Sequence, residues 1–324
     1  MTSKTSPSFE KINVSRLSIS ASPFESRNPF QYAVRRIVYD KPSFSVPVKM
    51  ETERFDLRDM DAERWNEAWL NDQEDVDLLA RNIREQPLNH PLVDHIIRAY
   101  PDLSKLRVCE VGAGIGRFSM ALALRGAEVV LLDISQVALD RAVRLASALG
   151  VTVTCHLEDI FSLPTFLEGQ FDVAASFGLI EHFDGKLRRE SVRAHARLLR
   201  PGGIMGIHVP NALCPFYRLW KFIAEQMGFW SVGFEKPFTR RELRALCTGF
   251  PMKDVQISGA DFSYAVNNFF LGKLYWGLRN LLIHGSLRGK GDPYEIPSWF
   301  RIPKIGWPFS EYLGYSLTII AKRL

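Results

Sequence analysis

Val108-Cys109-Glu110-Val111-Gly112-Ala113-Gly114-Ile115-Gly116-Arg117 decides how this chain is read. A short apolar run meets an acidic residue and then three glycines at alternate positions. Asp133 follows 17 residues after the last glycine, at the end of a second apolar run, Glu128-Val129-Val130-Leu131-Leu132. A glycine turn at one strand tip and a carboxylate at the next build a nucleoside pocket in a doubly wound sheet. Glycine lets the backbone approach a ligand closely. The Asp133 carboxylate is suited to take both ribose hydroxyls.

The elements around this stretch keep one rhythm. Strands are expected at Leu106–Val111, Glu128–Leu132, Val151–Cys155, Phe171–Ser176 and Ile204–Val209, with helices between them. Ser135 caps a helix that runs to Leu149 and stops at Gly150. A helix around Leu187–Leu199 ends at the Arg200-Pro201-Gly202-Gly203 turn. Thr239-Arg240-Arg241-Glu242 has capping-box form. Two further strands lie near Asp254–Ser258 and Tyr315–Ala321. The expectation is an α/β, Rossmann-like, mostly parallel doubly wound sheet of seven strands.

The dinucleotide fingerprint is G-x-G-x-x-G/A, and its last small residue lets the helix pack beside a pyrophosphate. Here the order is G-x-G-x-G, and Arg117 stands in that last place. The pattern resembles the first motif of the class I S-adenosylmethionine-dependent methyltransferases, whose cofactor carries no phosphate. Three other stretches resemble the same family. They are Leu157-Glu158-Asp159-Ile160 after strand three, the run Phe171-Asp172-Val173-Ala174-Ala175-Ser176-Phe177-Gly178-Leu179-Ile180-Glu181-His182-Phe183, and Leu198-Leu199-Arg200-Pro201-Gly202-Gly203. The last two are similar to the ubiquinone-biosynthesis O-methyltransferases and their small-molecule relatives.

The resemblance implies S-adenosyl-L-methionine as cofactor, held by Glu110, Gly112, Ala113, Gly114, Gly116, Asp133, Ile134, Asp159, Ile160, Phe177 and Gly178. It gives Asp159 the adenine amino group, against the plainer reading of a loop carboxylate. An Asn-Pro-Pro-Tyr-type tetrapeptide is lacking, which speaks against nucleic-acid bases as acceptors. Methyl transfer to oxygen needs alignment and a base working near neutral pH, and histidine suits that task. His182 is the first candidate and His208 the second, while His156 also lies near a strand tip. Glu181-His182 also reads as an element that shapes the pocket, and His208 as a core histidine. No metal is expected, because the carboxylates near the strand tips are already assigned to the cofactor.

Length and composition bound the rest. The chain has 324 residues, 46% of them hydrophobic, and a formal charge of +5. Residues 1–50, rich in Ser and Pro, read as a poorly ordered arm. Residues 51–105 read as a helical cover, with Asp61 capping its first turn and Trp65, Trp69, Val76, Leu79 and Ile83 at helical spacing. The domain proper spans 106–324, with insertions at about 211–238 and 262–310. From Glu235 onward 13 Lys/Arg stand against 7 Asp/Glu, so this third carries the whole positive excess.

The later insertion holds a helix over Phe269–Ile283 with Lys273 and Arg279 interleaved. Three roles stand open for this aromatic reserve: a pocket or lid for a hydrophobic small-molecule acceptor, a homodimer interface, or peripheral membrane contact through residues 265–290 with Arg288 and Lys290 facing head groups. Four cysteines without C-x-x-C spacing and the lack of an apolar membrane span or leader point to a cytoplasmic setting. A hydroxyl or carboxyl of an aromatic, quinol-like or lipid-like molecule is the expected acceptor. The alternatives are a nicotinamide-dependent oxidoreductase, a relative using the cofactor without methyl transfer, and a non-catalytic scaffold.

Overall fold

The parallel strands expected around Gly112–Gly116 form one sheet. The computed structural model describes residues 62–72, 74–85, 90–228, 230, 233–284, 301–303 and 309–324. The chain divides at Glu53/Arg54, and the description concerns the second unit. The expected N-terminal arm, the Asp61 cap, Arg288 and Lys290 lie outside the described residues.

Seven strands run in the order β3-β2-β1-β4-β5-β7-β6. They are β1 (Arg107–Val111), β2 (Glu128–Asp133), β3 (Val153–Leu157), β4 (Phe171–Phe177), β5 (Leu199–Pro210), β6 (Met252–Ala260) and β7 (Ser316–Arg323). β1 pairs in parallel with both β2 and β4, whereas β7 is antiparallel to β5 and β6. Strand order reverses between β1 and β4. In an open α/β sheet the crevice at the carboxyl ends of such a pair is the ligand site.

Alternate residues of these strands feed two cores, because successive side chains point to opposite faces. Val108, Val129, Leu131 and Val173 pack on one face. Cys109, Val111, Val130, Leu132 and Ala174 pack on the other. The first core is covered by α2 (Val76–Glu85), α3 (Pro91–Ala99), α4 (Arg117–Ala123) and α5 (Gln136–Leu149). α1 (Ala62–Asn71) sets Trp69 against the same core, and α6 (Gly185–Leu198) covers the second. Ser135 Oγ accepts the Ala138 N–H, and Gly150 ends α5 in the left-handed conformation.

The structure moves several expected boundaries. Among the described residues, the expected helical cover over 51–105 holds the three separate helices α1, α2 and α3. β5 begins at Leu199, ahead of the Arg200-Pro201-Gly202-Gly203 turn, because that segment is absorbed as a bulge. Phe171 pairs with Leu199 and Val173 with Ile204, so the bulge takes up the extra residues. α7 (Pro215–Gln226) and α8 (Arg240–Leu246) follow β5, and the Thr239/Glu242 capping box opens α8.

The helix expected from Phe269 starts earlier. α9 (Phe262–Ala265) passes through a π-helical turn at Val266–Leu271 into α10 (Gly272–His284). Asn267 lies buried in that turn. Its amide donates to the Ile302 carbonyl at 3.0 Å and accepts the Ile302 N–H at 2.8 Å. Such a turn marks a helix bent to satisfy a specific contact. α11 (Ser310–Leu313) leads into β7.

Candidate functional site

Gly112, Gly114 and Gly116 all take positive φ, at 59°, 54° and 69°. All three also need an empty flank. A Cβ on Gly112 would meet Leu179 Cδ1 at 2.5 Å, one on Gly114 would meet Trp69 Cζ2 at 2.4 Å, and one on Gly116 would meet Leu131 Cδ1 at 2.7 Å. The loop is therefore pressed between the tip of β4 and α1, and only glycine satisfies both demands. Asp133 fastens it from the next strand. Asp133 Oδ2 accepts the Gly114 N–H at 2.7 Å, and Oδ1 accepts the Ser135 N–H at 2.8 Å. Each oxygen keeps a lone pair for a further donor. Burial pushes the Asp133 pKa up, and the backbone N–H groups of Gly114, Ser135 and Ile134 oppose that shift.

Glu110 works one layer down. Its Oε2 accepts the Ser119 N–H at 3.1 Å and so satisfies the first turn of α4. Burial raises its pKa to about 7, with the Ser119 hydrogen bonds pulling the other way. Arg117 leaves the loop and pairs with Glu74 at 3.4 Å.

Above the loop opens a cavity of about 860 Å³. Glu110, Gly112, Ala113, Gly114, Asp133, Ile134, Asp159, Ile160, Phe177 and Gly178 line it, together with His182. Two expected site residues stand behind its wall. Gly116 heads α4 against Leu131, where its role is helix entry and packing. His208 Nδ1 lies 2.9 Å from Thr318 Oγ1, and its ring packs 4.3 Å from that of His90. Phe118 and Phe177, stacked at 4.0 Å, belong to the cavity wall, and His90 packs against both rings. Burial lowers the pKa of both histidines, so the pair is neutral. His156 packs against Phe166 and is not in the wall. Asp159 is exposed, and its Oδ1 accepts the Phe161 N–H at 2.9 Å.

His182 sits on the wall and is 4% exposed. Its Nδ1 lies 2.8 Å from the Phe234 carbonyl, and Trp65 meets its ring edge-on at 5.1 Å. Burial lowers its pKa first, and the nearby cations Arg64 and Lys221 add to that, against the backbone of Phe234 and of Gly178. A neutral ring that donates from Nδ1 keeps its lone pair on Nε2. Glu181 beside it is buried, with no hydrogen-bond partner for Oε2 among the described residues. Burial first, and then Glu235, hold the Glu181 carboxyl well above the usual range. Glu235 in turn accepts the Tyr217 hydroxyl.

Trp65 and Trp69 of the expected helical cover close one side of the cavity with Ala62. Sequence reasoning missed the side chains that hold α1 down. Asn66 Oδ1 accepts the Ser135 hydroxyl at 2.7 Å and the Val137 N–H at 3.2 Å. The Arg141 guanidinium donates to the carbonyls of Trp69, Asp72 and Glu74 and pairs with Asp72 at 2.9 Å. A signal existed: Arg141 interrupts the apolar face that Ala138, Ala142 and Leu145 otherwise make. Among the described residues, no group of three or more His, Cys, Asp or Glu is placed to hold a metal.

Fold and cavity together define a doubly wound α/β domain with a cavity over a glycine loop that a carboxylate on the next strand anchors. Comparison with known proteins narrows this. Residues 108–203 match a family model described as a methyltransferase domain. Over 116 residues the chain is 31% identical to a ubiquinone biosynthesis O-methyltransferase of Alkalilimnicola ehrlichii, covering 36% of this chain and 46% of that protein. Over 113 residues it is 32% identical to a tRNA 5-carboxymethoxyuridine methyltransferase of Escherichia coli, covering 33% and 41%. The chain thus spans less than half the length of these two relatives. A solved structure of a magnesium protoporphyrin IX methyltransferase from Synechocystis PCC 6803 superposes with a TM-score of 0.46 at 15% identity, covering 81% of this chain and 93% of that one. Residues 108–203 thus resemble a methyltransferase domain, and S-adenosyl-L-methionine is the cofactor that this resemblance implies.

Proposed function

We propose that this chain transfers a methyl group to a hydroxyl or carboxyl oxygen of a hydrophobic small molecule, aromatic, quinol-like or lipid-like. The observation that carries the reading is His182, on the cavity wall, with Nδ1 2.8 Å from the Phe234 carbonyl.

The residues present fit the cofactor. A cavity of about 860 Å³ lies within the range of small-molecule sites. Asp133 keeps acceptor capacity for two ribose hydroxyls, and Ile134 and Ile160 offer apolar contact to a flat base. When bound, the cofactor supplies an activated methyl group on a sulfonium. The chain's own part is alignment, exclusion of water and removal of one proton. The loop and Asp133 fix the nucleoside end. Trp65 and Trp69 on α1 cover the cavity, so that charge develops in a dry site. Leu179, Phe183 and Leu187 give the acceptor an apolar seat. Nε2 of His182 would take the proton of a hydroxyl acceptor as its oxygen–carbon bond forms and the carbon–sulfur bond of the sulfonium breaks, releasing the neutral thioether S-adenosylhomocysteine, while Nδ1–H stays on the Phe234 carbonyl; a carboxylate acceptor carries no proton to remove.

Calorimetric titration with S-adenosylhomocysteine, with NADH in parallel, tests the cofactor. Binding of the first alone is expected, followed by turnover in a screen of phenols, quinols and lipid acids. Binding of NADH alone would overturn the reading in favour of an oxidoreductase, and binding of neither would leave a scaffold.

A further inference from the structure

A second apolar surface lies outside the cavity, on α7 and α10. α7 turns Tyr217, Lys221 and Ala224 inward. Its other side carries Leu219, Phe222, Ile223 and Met227, exposed by 54%, 60%, 37% and 51%. Their spacing is that of one helical face. Across from them, Phe270, Leu274 and Leu278 repeat every four residues, exposed by 43%, 44% and 50%. Two contacts set the helices side by side. The Phe216 ring is 5.5 Å from Phe270, and Lys273 Nζ stands 4.5 Å over Trp220. Both contacts advance in the same direction along both helices, so the two stripes adjoin along one ridge. Single exposed apolar side chains are ordinary, but a contiguous ridge of this size marks a surface meant to be covered.

Charge selects the occupant. From Phe262 to His284 the chain has Lys273 and Arg279 and no Asp or Glu. Arg218 adds an exposed cation on α7, where the acidic Glu225 is paired with Lys221. A second copy meeting this ridge through a two-fold axis would set the cations against themselves. An anionic bilayer complements them and accepts the apolar side chains below its head groups. No helix among the described residues is long and apolar enough to cross a membrane, so contact lies in the interface.

We propose that the α7–α10 ridge docks on the surface of an anionic lipid bilayer, with Phe222, Leu274 and Leu278 entering the acyl boundary and Arg218 and Arg279 meeting phosphates. This does not depend on the methyl-transfer reading. The test is co-sedimentation of the full chain with vesicles of phosphatidylcholine alone and of phosphatidylcholine with phosphatidylglycerol, without cofactor. Binding to the mixed vesicles is expected to exceed binding to the neutral ones by about tenfold or more, and to fall in high salt. Phe222→Ser with Leu278→Ser should weaken it by about tenfold or more. Arg218→Gln with Arg279→Gln should erase the preference for anionic lipid. Thermal melting, which needs no ligand, checks that the variants fold. Failure to pellet with mixed vesicles, binding indifferent to the variants, or a dimer that the serine variants dissolve without any vesicle binding would each overturn the proposal.

Discussion

Arg141 Nη1 donates to the Trp69 carbonyl at 3.0 Å, so a residue of α5 holds the end of the helix that closes one side of the cavity. The same guanidinium satisfies two further carbonyls and the Asp72 carboxylate, and Arg141 is only 5% exposed. Arg141→Met keeps the apolar stem and removes every one of these bonds. The expected loss is roughly 3 kcal/mol of stability, read from denaturant unfolding. Hydrogen exchange in α1 should rise well above that in the sheet. S-adenosylhomocysteine affinity should fall as well, since Trp69 no longer presses on Gly114. Equal protection of α1 in both proteins would show that Arg141 packs without clamping.

Asp133 holds the loop and, in the proposed function, the ribose. Its oxygens bond the N–H groups of Gly114 and Ser135 and still face the cavity. Asp133→Ala should weaken S-adenosylhomocysteine binding by about 2 kcal/mol or more, roughly thirtyfold, in calorimetry. Asp133→Asn, which preserves one acceptor, should fall between. Unchanged affinity in the alanine variant would remove Asp133 from the pocket.

What the sequence made legible was whatever obeys a local rule. β1, β2 and β4 follow from apolar runs, the ends of α5 from Ser135 and Gly150, and the loop from three glycines that no other residue replaces. The bulge at Arg200–Gly203 and the π turn around Asn267 were not legible. Each depends on a partner far along the chain, Phe171 for the bulge and Ile302 for the turn. Site residues divided the same way. Asp133 and His182 sit at strand tips, where position alone announces them. Asn66 and Arg141 act across α1 and α5, and periodicity does not report which helix lies against which. His208 was singled out from its place on β5, yet the wall of Phe118 and Phe177 stands in front of it.

Glu110 gives the fold a pH dependence of known sign. Its pKa is about 7 in the folded protein against an ordinary 4.5, chiefly through burial. The folded state therefore binds the proton more tightly than the unfolded chain. The contribution is complete below about pH 4.5 and is lost as pH rises through about 7. Its full size is about 3 kcal/mol at most. Glu110→Gln can still accept the Ser119 N–H and has no proton to lose. Relative to the parent protein it should therefore gain stability from pH 5 to pH 8 in urea unfolding. Glu181 shifts in the same direction in both proteins and cancels in the difference, whereas Asp133, whose charge adds to the Glu110 shift, is relieved by the substitution and contributes in the same direction. Parallel pH profiles would show that Glu110 is not strained by its burial.

His182 and His208 are both buried neutral histidines, and position separates their roles. His182 lines the cavity with Nδ1 on the Phe234 carbonyl, whereas His208 is bonded to Thr318 and lies outside the wall. As base, His182 should cost roughly 100-fold in kcat when replaced by Ala, with S-adenosylhomocysteine affinity within about twofold of the parent. His208→Ala should act through packing, lowering stability with kcat nearly unchanged. The pH profile adds a sign. Burial lowers the His182 pKa, so its basic form persists below the usual histidine range. The acid limb of kcat should accordingly fall below about pH 6.5, the ordinary histidine value, and vanish in His182→Ala. A His182→Ala enzyme that turns over at the parent rate with the limb intact would transfer the proton step to the acceptor itself.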